Sequence, residues 1–152
     1  CRLLARAGFR HHVSVNYSFN VIDERPVTIR QTVAYHRALE AAFGADKVEP
    51  AIFFIGLQPH THLEQYGFDQ GLIKPGYNPM SMLPWTARQL LWNPEPMGQT
   101  FGRVCLEAFE RNPADFGRTV MDLLERDYGC APLEEALHAP VEGRKAMATA
   151  TA

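Results

Sequence analysis

From position 12 to 19 the chain alternates strictly. Val13, Val15, Tyr17 and Phe19 are apolar, while His12, Ser14, Asn16 and Ser18 are polar. A period of two predicts a strand over 12–19 with one polar face. The preceding stretch, 2–7, reads as a short helix that stops at Gly8, a residue suited to a left-handed cap. Beyond the strand, Ile29, Val33, His36, Leu39 and Phe43 recur at helical spacing. They predict a helix over 27–43, with Pro26 in its first turn and Gly44 ending it. The run AIFFIGL at 51–57 has strand length and is nearly continuously apolar. Such a run fits a strand covered on both faces, as in a parallel sheet. A helix over 62–71 follows, with Thr61 as its N-cap.

Strands alternating with helices of these lengths predict βαβ units joined by right-handed crossovers. Two strands are too few for a stable α/β domain and would leave an exposed edge. The expectation is therefore that further strands come from sequence upstream of Cys1. The pattern changes over 73–98, which holds five prolines, Pro75, Pro79, Pro84, Pro94 and Pro96, and both tryptophans, Trp85 and Trp92. That proline density argues against a long helix or an internal strand. This arm either packs Trp85, Leu90, Leu91 and Trp92 onto the body or closes over a site, as long loops often do.

Over 99–138 two helices are expected. Phe101, Val104, Cys105, Ala108 and Phe109 form one apolar stripe; Phe116, Val120, Leu123, Leu124 and Tyr128 form the second. Asn112 caps the second helix and Pro113 opens it, so the pair reads as an αα-hairpin. Leu133 to Leu137 adds a turn or two. The tail, 139–152, has almost nothing large to bury and is expected to be disordered.

Composition narrows the function classes. Fifteen basic and 17 acidic residues give a formal net charge of −2, which supplies no footprint for nucleic acid or an anionic membrane. No apolar run approaches the ~18 residues of a membrane span. Cys1, Cys105 and Cys130 are widely spaced and suggest no disulfide framework, so a cytoplasmic location is the default. Asn16-Tyr17-Ser18 matches a glycosylation sequon inside a strand expected to be buried, and is read as chance.

The candidate chemistry centres on strand ends. His60 and His62 lie one residue apart and could share an ion if both sat on one strand face. They follow Pro59, however, and straddle the start of a helix, so a metallohydrolase is the weaker reading. His36 sits among Val33, Leu39 and Glu40 on the helix and reads as a core or boundary histidine in preference to a catalytic one. His11 and His12 lie at the amino end of the first strand, opposite the end that usually binds ligands. In parallel α/β sheets ligands bind beyond the carboxyl ends of the strands. Asn16, Ser18 and Asn20 would share one polar face there, near the turn through Asp23 and Glu24. At the second strand the corresponding residues are Leu57 and Gln58. These groups either satisfy neighbouring strands and waters or contact a polar cofactor.

The run 19–32, FNVIDERPVTIRQT, resembles the fifth-strand segment of radical S-adenosylmethionine enzymes, where a strand, a Gly-x-Pro-Gly-Glu-Thr turn and a threonine-bearing helix follow one another. Glu24 and Thr32 match, while Asn20, Ile22, Asp23 and Arg25 depart from it. The run 55–71, IGLQPHTHLEQYGFDQG, is similar to the sixth-strand segment. Pro59, Thr61, Leu63 and Gly71 match there, and His60 and His62 replace a glycine and a proline. With the long C-terminal extension, the chain resembles most the cobalamin-binding branch. The resemblance implies that residues 1–72 are the last βαβα units of a partial (β/α) TIM-like barrel, residues 73–98 an arm, and residues 99–138 a helical extension. It implies that Asn16, Ser18, Asn20, Glu24, Leu57 and Gln58 line part of an S-adenosylmethionine pocket. The parent protein would carry a [4Fe-4S] cluster and cobalamin. This chain lacks both the Cys-x-x-x-Cys-x-x-Cys loop and the Asp-x-His-x-x-Gly motif, so by itself it would bind neither and be inactive. Its partner would be the upstream part of the same polypeptide. The alternative from another class is a stand-alone interaction module that uses the Trp85/Trp92 arm.

Overall fold

A computed structural model describes residues 2–22, 24–73 and 91–134. The elements run α1 (Arg2–Arg6), β1 (Val13–Phe19), α2 (Pro26–Phe43), a 3-10 turn (Ala45–Lys47), β2 (Val48–Gly56), α3 (His62–Asp69), β3 (Leu91–Trp92), α4 (Met97–Arg111), a second 3-10 turn (Pro113–Asp115) and α5 (Phe116–Tyr128). Trp85, His138 and the tail lie outside the described residues. Among the described residues this is a mixed α/β fold with an open sheet in the order β1-β2-β3.

β1 and β2 are parallel and in register from Val13 opposite Val48 to Phe19 opposite Phe54. α2 is the crossover between them. Its ends are set locally: Pro26 occupies the first turn, where a missing N–H costs nothing, and Gly44 leaves the helix at φ 97°. The buried stripe Ile29, Val33, His36, Leu39 and Phe43 is the one that the spacing predicts.

Side chains alternate along a strand, so the register divides the sheet into two faces. Tyr17, Phe19, Ile52 and Phe54 project to one side and join the main core with Ile29, Val33, Phe101, Val104, Val120 and Leu124. Ser14, Asn16, Ser18 and Phe53 project to the other and are exposed. This corrects the expectation that 51–57 is covered on both faces: Phe53 keeps 51% of its surface. Among the described residues the open face is covered only toward the end of β2, where Ile55 and Leu57 pack with Ile73, Trp92, Leu63 and Tyr66.

At the end of the arm Trp92 packs onto the body, the first of the two readings of this segment. It pairs antiparallel with Ile55, while Leu91 pairs with Gly56, making a two-residue edge strand. α4 then begins at Met97, inside the segment expected to be extended.

The helical hairpin forms as the sequence implies, with two differences. Asn112 caps the 3-10 turn, its side chain accepting from the Asp115 N–H, and Asp115 becomes the N-cap residue of α5. Phe109 is 61% exposed instead of joining the α4 stripe, which runs through Phe101, Val104 and Ala108 and turns Phe109 outward. α5 lies tightly against β2, because a Cβ on Gly117 would overlap the Pro50 carbonyl oxygen.

Candidate functional site

The carboxyl ends of β1 and β2 are adjacent through the parallel register, and both chains leave by the same device. Asn20 and His60 take left-handed backbone conformations, φ 55° and 61°, that non-glycine residues rarely adopt. Asparagine tolerates this region better than most residues, because its short polar side chain bonds locally.

At the end of β1 the turn moves Asn20 away from the exposed face of Asn16 and Ser18. The three residues therefore do not share one polar face, contrary to the alternation. Asn20 is buried, and its side-chain amide donates to Asn93 Oδ1 at 2.6 Å and to the Pro94 carbonyl at 2.9 Å. Asn93 in turn donates to the Gly98 carbonyl at 3.1 Å, which ties the end of β1 to the start of α4. Gly98 is needed at that point, since a Cβ there would collide with the Asn93 carbonyl.

Glu24 stands at the entrance to α2. Its carboxylate accepts from the Asn20 N–H at 3.2 Å and from the Thr28 hydroxyl. Burial raises its pKa above the ordinary carboxylate range, and hydrogen bonds from Thr28, Asn20 and Arg25 oppose that rise. A carboxylate at a helix start also meets the positive end of the helix dipole. Its local role is to brace the β1–α2 turn.

At the end of β2, Leu57 is buried in the cluster around Trp92, whereas Gln58 is exposed. The Gln58 carbonyl accepts from the Thr61 hydroxyl at 2.8 Å, and Thr61 Oγ1 accepts from the Glu64 N–H at 3.3 Å. Glu64 reaches back to accept from the His60 N–H at 2.8 Å. This exchange fixes the turn and starts α3 in the manner of a capping box. His60 and His62 are exposed on it. Among the described residues no group of three or more His, Cys, Asp or Glu side chains is placed to hold a metal ion. His11 and His12 are exposed at the opposite end of β1.

The six candidate residues therefore divide in two. Asn20, Glu24 and Leu57 are engaged within the scaffold. Asn16, Ser18 and Gln58 present exposed polar groups on or beside the open face, where Ser18 lies opposite Phe53 and Asn16 opposite Ala51. Sequence reasoning missed Asn93, the partner that buries Asn20. The dipeptide Asn93-Pro94, a turn signal, was the available clue. Trp92 is buried, so half of the Trp85/Trp92 pair has no surface to offer a partner. No helix among the described residues is long and apolar enough to cross a membrane. Comparison with protein-family models, curated proteins and solved structures finds no match.

Proposed function

We propose that this chain is the C-terminal portion of a radical S-adenosylmethionine enzyme of the cobalamin-binding branch, supplying the last two strands of a partial (β/α) barrel. The observation that carries this reading is the exposed polar part of the sheet. Its two parallel strands have α2, α4 and α5 over one face, β1 has no second neighbour among the described residues, and Asn16 and Ser18 stand exposed on the other face, where α3 packs toward the end of β2. Side chains of this kind line a barrel interior, with the crossover helices outside.

In that role Asn16, Ser18 and Gln58 have groups free to contact S-adenosylmethionine. Asn20, Glu24 and Leu57 act as positioning residues behind them. Cys1, Cys105 and Cys130 do not have the cluster-binding spacing, so a [4Fe-4S] cluster would be held elsewhere in the parent polypeptide. The helical hairpin would close the substrate side.

The reading frame that encodes this chain is the first test, and it should carry a Cys-x-x-x-Cys-x-x-Cys segment before β1. The full polypeptide, purified without oxygen and reconstituted with iron and sulfide, should then release 5′-deoxyadenosine or methylate an acceptor at the expense of S-adenosylmethionine. A frame without the cysteine segment would sink the proposal.

A further inference from the structure

One cluster of charged groups surrounds a buried histidine. His36 has no exposed surface, and its Nδ1 lies 3.1 Å from the Tyr17 hydroxyl. Its Nε2 lies 3.4 Å from Glu40 Oε1 but makes no aligned hydrogen bond. Because Nε2 faces a carboxylate, which only accepts, the ring proton belongs on Nε2. Nδ1 is then the lone pair that accepts from Tyr17.

Glu40 is already claimed by two guanidiniums, Arg37 at 2.7 Å and Arg118 at 3.3 Å. Arg118 comes from α5 and also donates to the Val48 carbonyl at 3.3 Å. Arg37 reaches across to Asp122 and Glu125 of α5 at 2.5 and 2.6 Å. The titratable and charged groups around the imidazole are thus Tyr17 from β1, Arg37 and Glu40 from α2, and Arg118 and Asp122 from α5. β2 contributes the Val48 carbonyl. The seam that joins α5 to α2 runs through the same carboxylate that the imidazole faces.

We infer that His36 is a proton-operated latch on the α4–α5 hairpin, closed when the imidazole is neutral and released when it is protonated. The proton goes to Nδ1, so the Tyr17 hydroxyl must turn from donor to acceptor there and leaves its own proton without that partner. The imidazolium then competes with Arg118 and Arg37 for Glu40, and no water reaches the ring to solvate it. Solvation requires α5 to move off α2. Burial also holds the imidazole below its ordinary pKa, with Arg37 and Arg118 acting in the same direction and Glu40 and Asp122 against it.

The sign follows directly. A histidine with a lowered folded-state pKa stabilises the closed form fully above its unfolded value, and that stability is lost as pH falls below it. The loss starts below about 6.5, reaches at most about tenfold in the opening equilibrium per pH unit, and levels off once the closed form is protonated as well. The inference does not depend on the proposed activity.

Hydrogen exchange of the full chain from pH 7.5 to 5, corrected for the intrinsic rate, is the test. Protection of the α5 amides should fall by at most about tenfold per pH unit below about 6.5, ahead of the β1 and β2 amides. His36→Gln, which keeps both hydrogen-bonding capacities but does not titrate, should abolish this slope. Should that variant not fold, Arg118→Gln supplies the second reading. It removes a cation that holds the imidazole neutral, so the pH-dependent loss of α5 protection should shrink. A pH-independent protection of α5, a fall shared equally by the strands, an unchanged slope in His36→Gln or an undiminished loss in Arg118→Gln would each overturn the latch.

Discussion

On the side where Tyr17, Phe19, Ile52 and Phe54 project, the sheet lies under α2, α4 and α5. On the other side, Ser18 and Phe53 stand opposite one another in the open. The same seven paired positions in each strand carry both faces, and β1 marks the difference clearly by alternation. In β2 it does not, because Phe53 is as apolar as Ile52 and Phe54. An apolar residue on a strand reports that the position can be buried; what lies above it decides whether it is.

The comparison can be tested by mutation. The largest effect is expected on the covered face. Phe19→Ala should cost about 4 kcal/mol, since it empties a site between Tyr17 and Phe101 that the hairpin cannot collapse to fill. Urea denaturation of the variant and the parent chain measures it. Gly117→Ala should cost about 3 kcal/mol, because the new methyl meets backbone at Pro50 and must push α5 away from β2. The same denaturation series, with exchange protection of α5 as a local readout, checks that origin. At the strand ends Asn20→Ala should cost about 2 kcal/mol by leaving Asn93 Oδ1 and the Pro94 carbonyl without their donor.

On the open face Phe53→Ser should change stability by less than about 0.5 kcal/mol. A cost of about 2 kcal/mol or more in the full polypeptide would reveal a surface that covers this face there. The smallest effect is on pH dependence. Glu24 has a raised folded-state pKa, so protonation favours the fold, and this contribution is lost as pH rises from the ordinary carboxylate value through the raised one. His36 has the opposite slope. Glu24→Gln should therefore steepen the rise of stability with pH just above the carboxylate range, as read from urea midpoints across pH 4 to 6.5.

Local periodicity carried much of the fold. The stripes of α2 and α5, the strand at β1 and the caps at Gly8, Gly44 and Thr61 are all short-range signals, and the structure places them where those signals lie. What failed depended on distant partners. Phe109 looks apolar enough for the α4 stripe, yet α5 packs on the face carrying Val104 and Ala108. Leu91 and Trp92 form a strand only because the end of β2 offers an edge. The candidate site was legible as a place, the carboxyl ends of the strands, more than as a set of side chains. Asn20 is withdrawn from the open face by a left-handed turn and by Asn93, which lies 73 residues further along the chain. No spacing rule near Asn20 contains that residue.

The close fit of α5 against β2 has a consequence for how the chain is made. β1, α2 and β2 leave the ribosome well before Phe116 is added, and translation proceeds at roughly 5–20 residues per second. For some seconds, therefore, the nascent chain carries Tyr17, Phe19, Ile52 and Phe54 without α4 and α5 to cover them. Of the described elements, the hairpin that completes this core is made last. The interval of greatest vulnerability to misassembly is thus set by the order of synthesis, and slowing elongation between Gly56 and Phe116 would lengthen it.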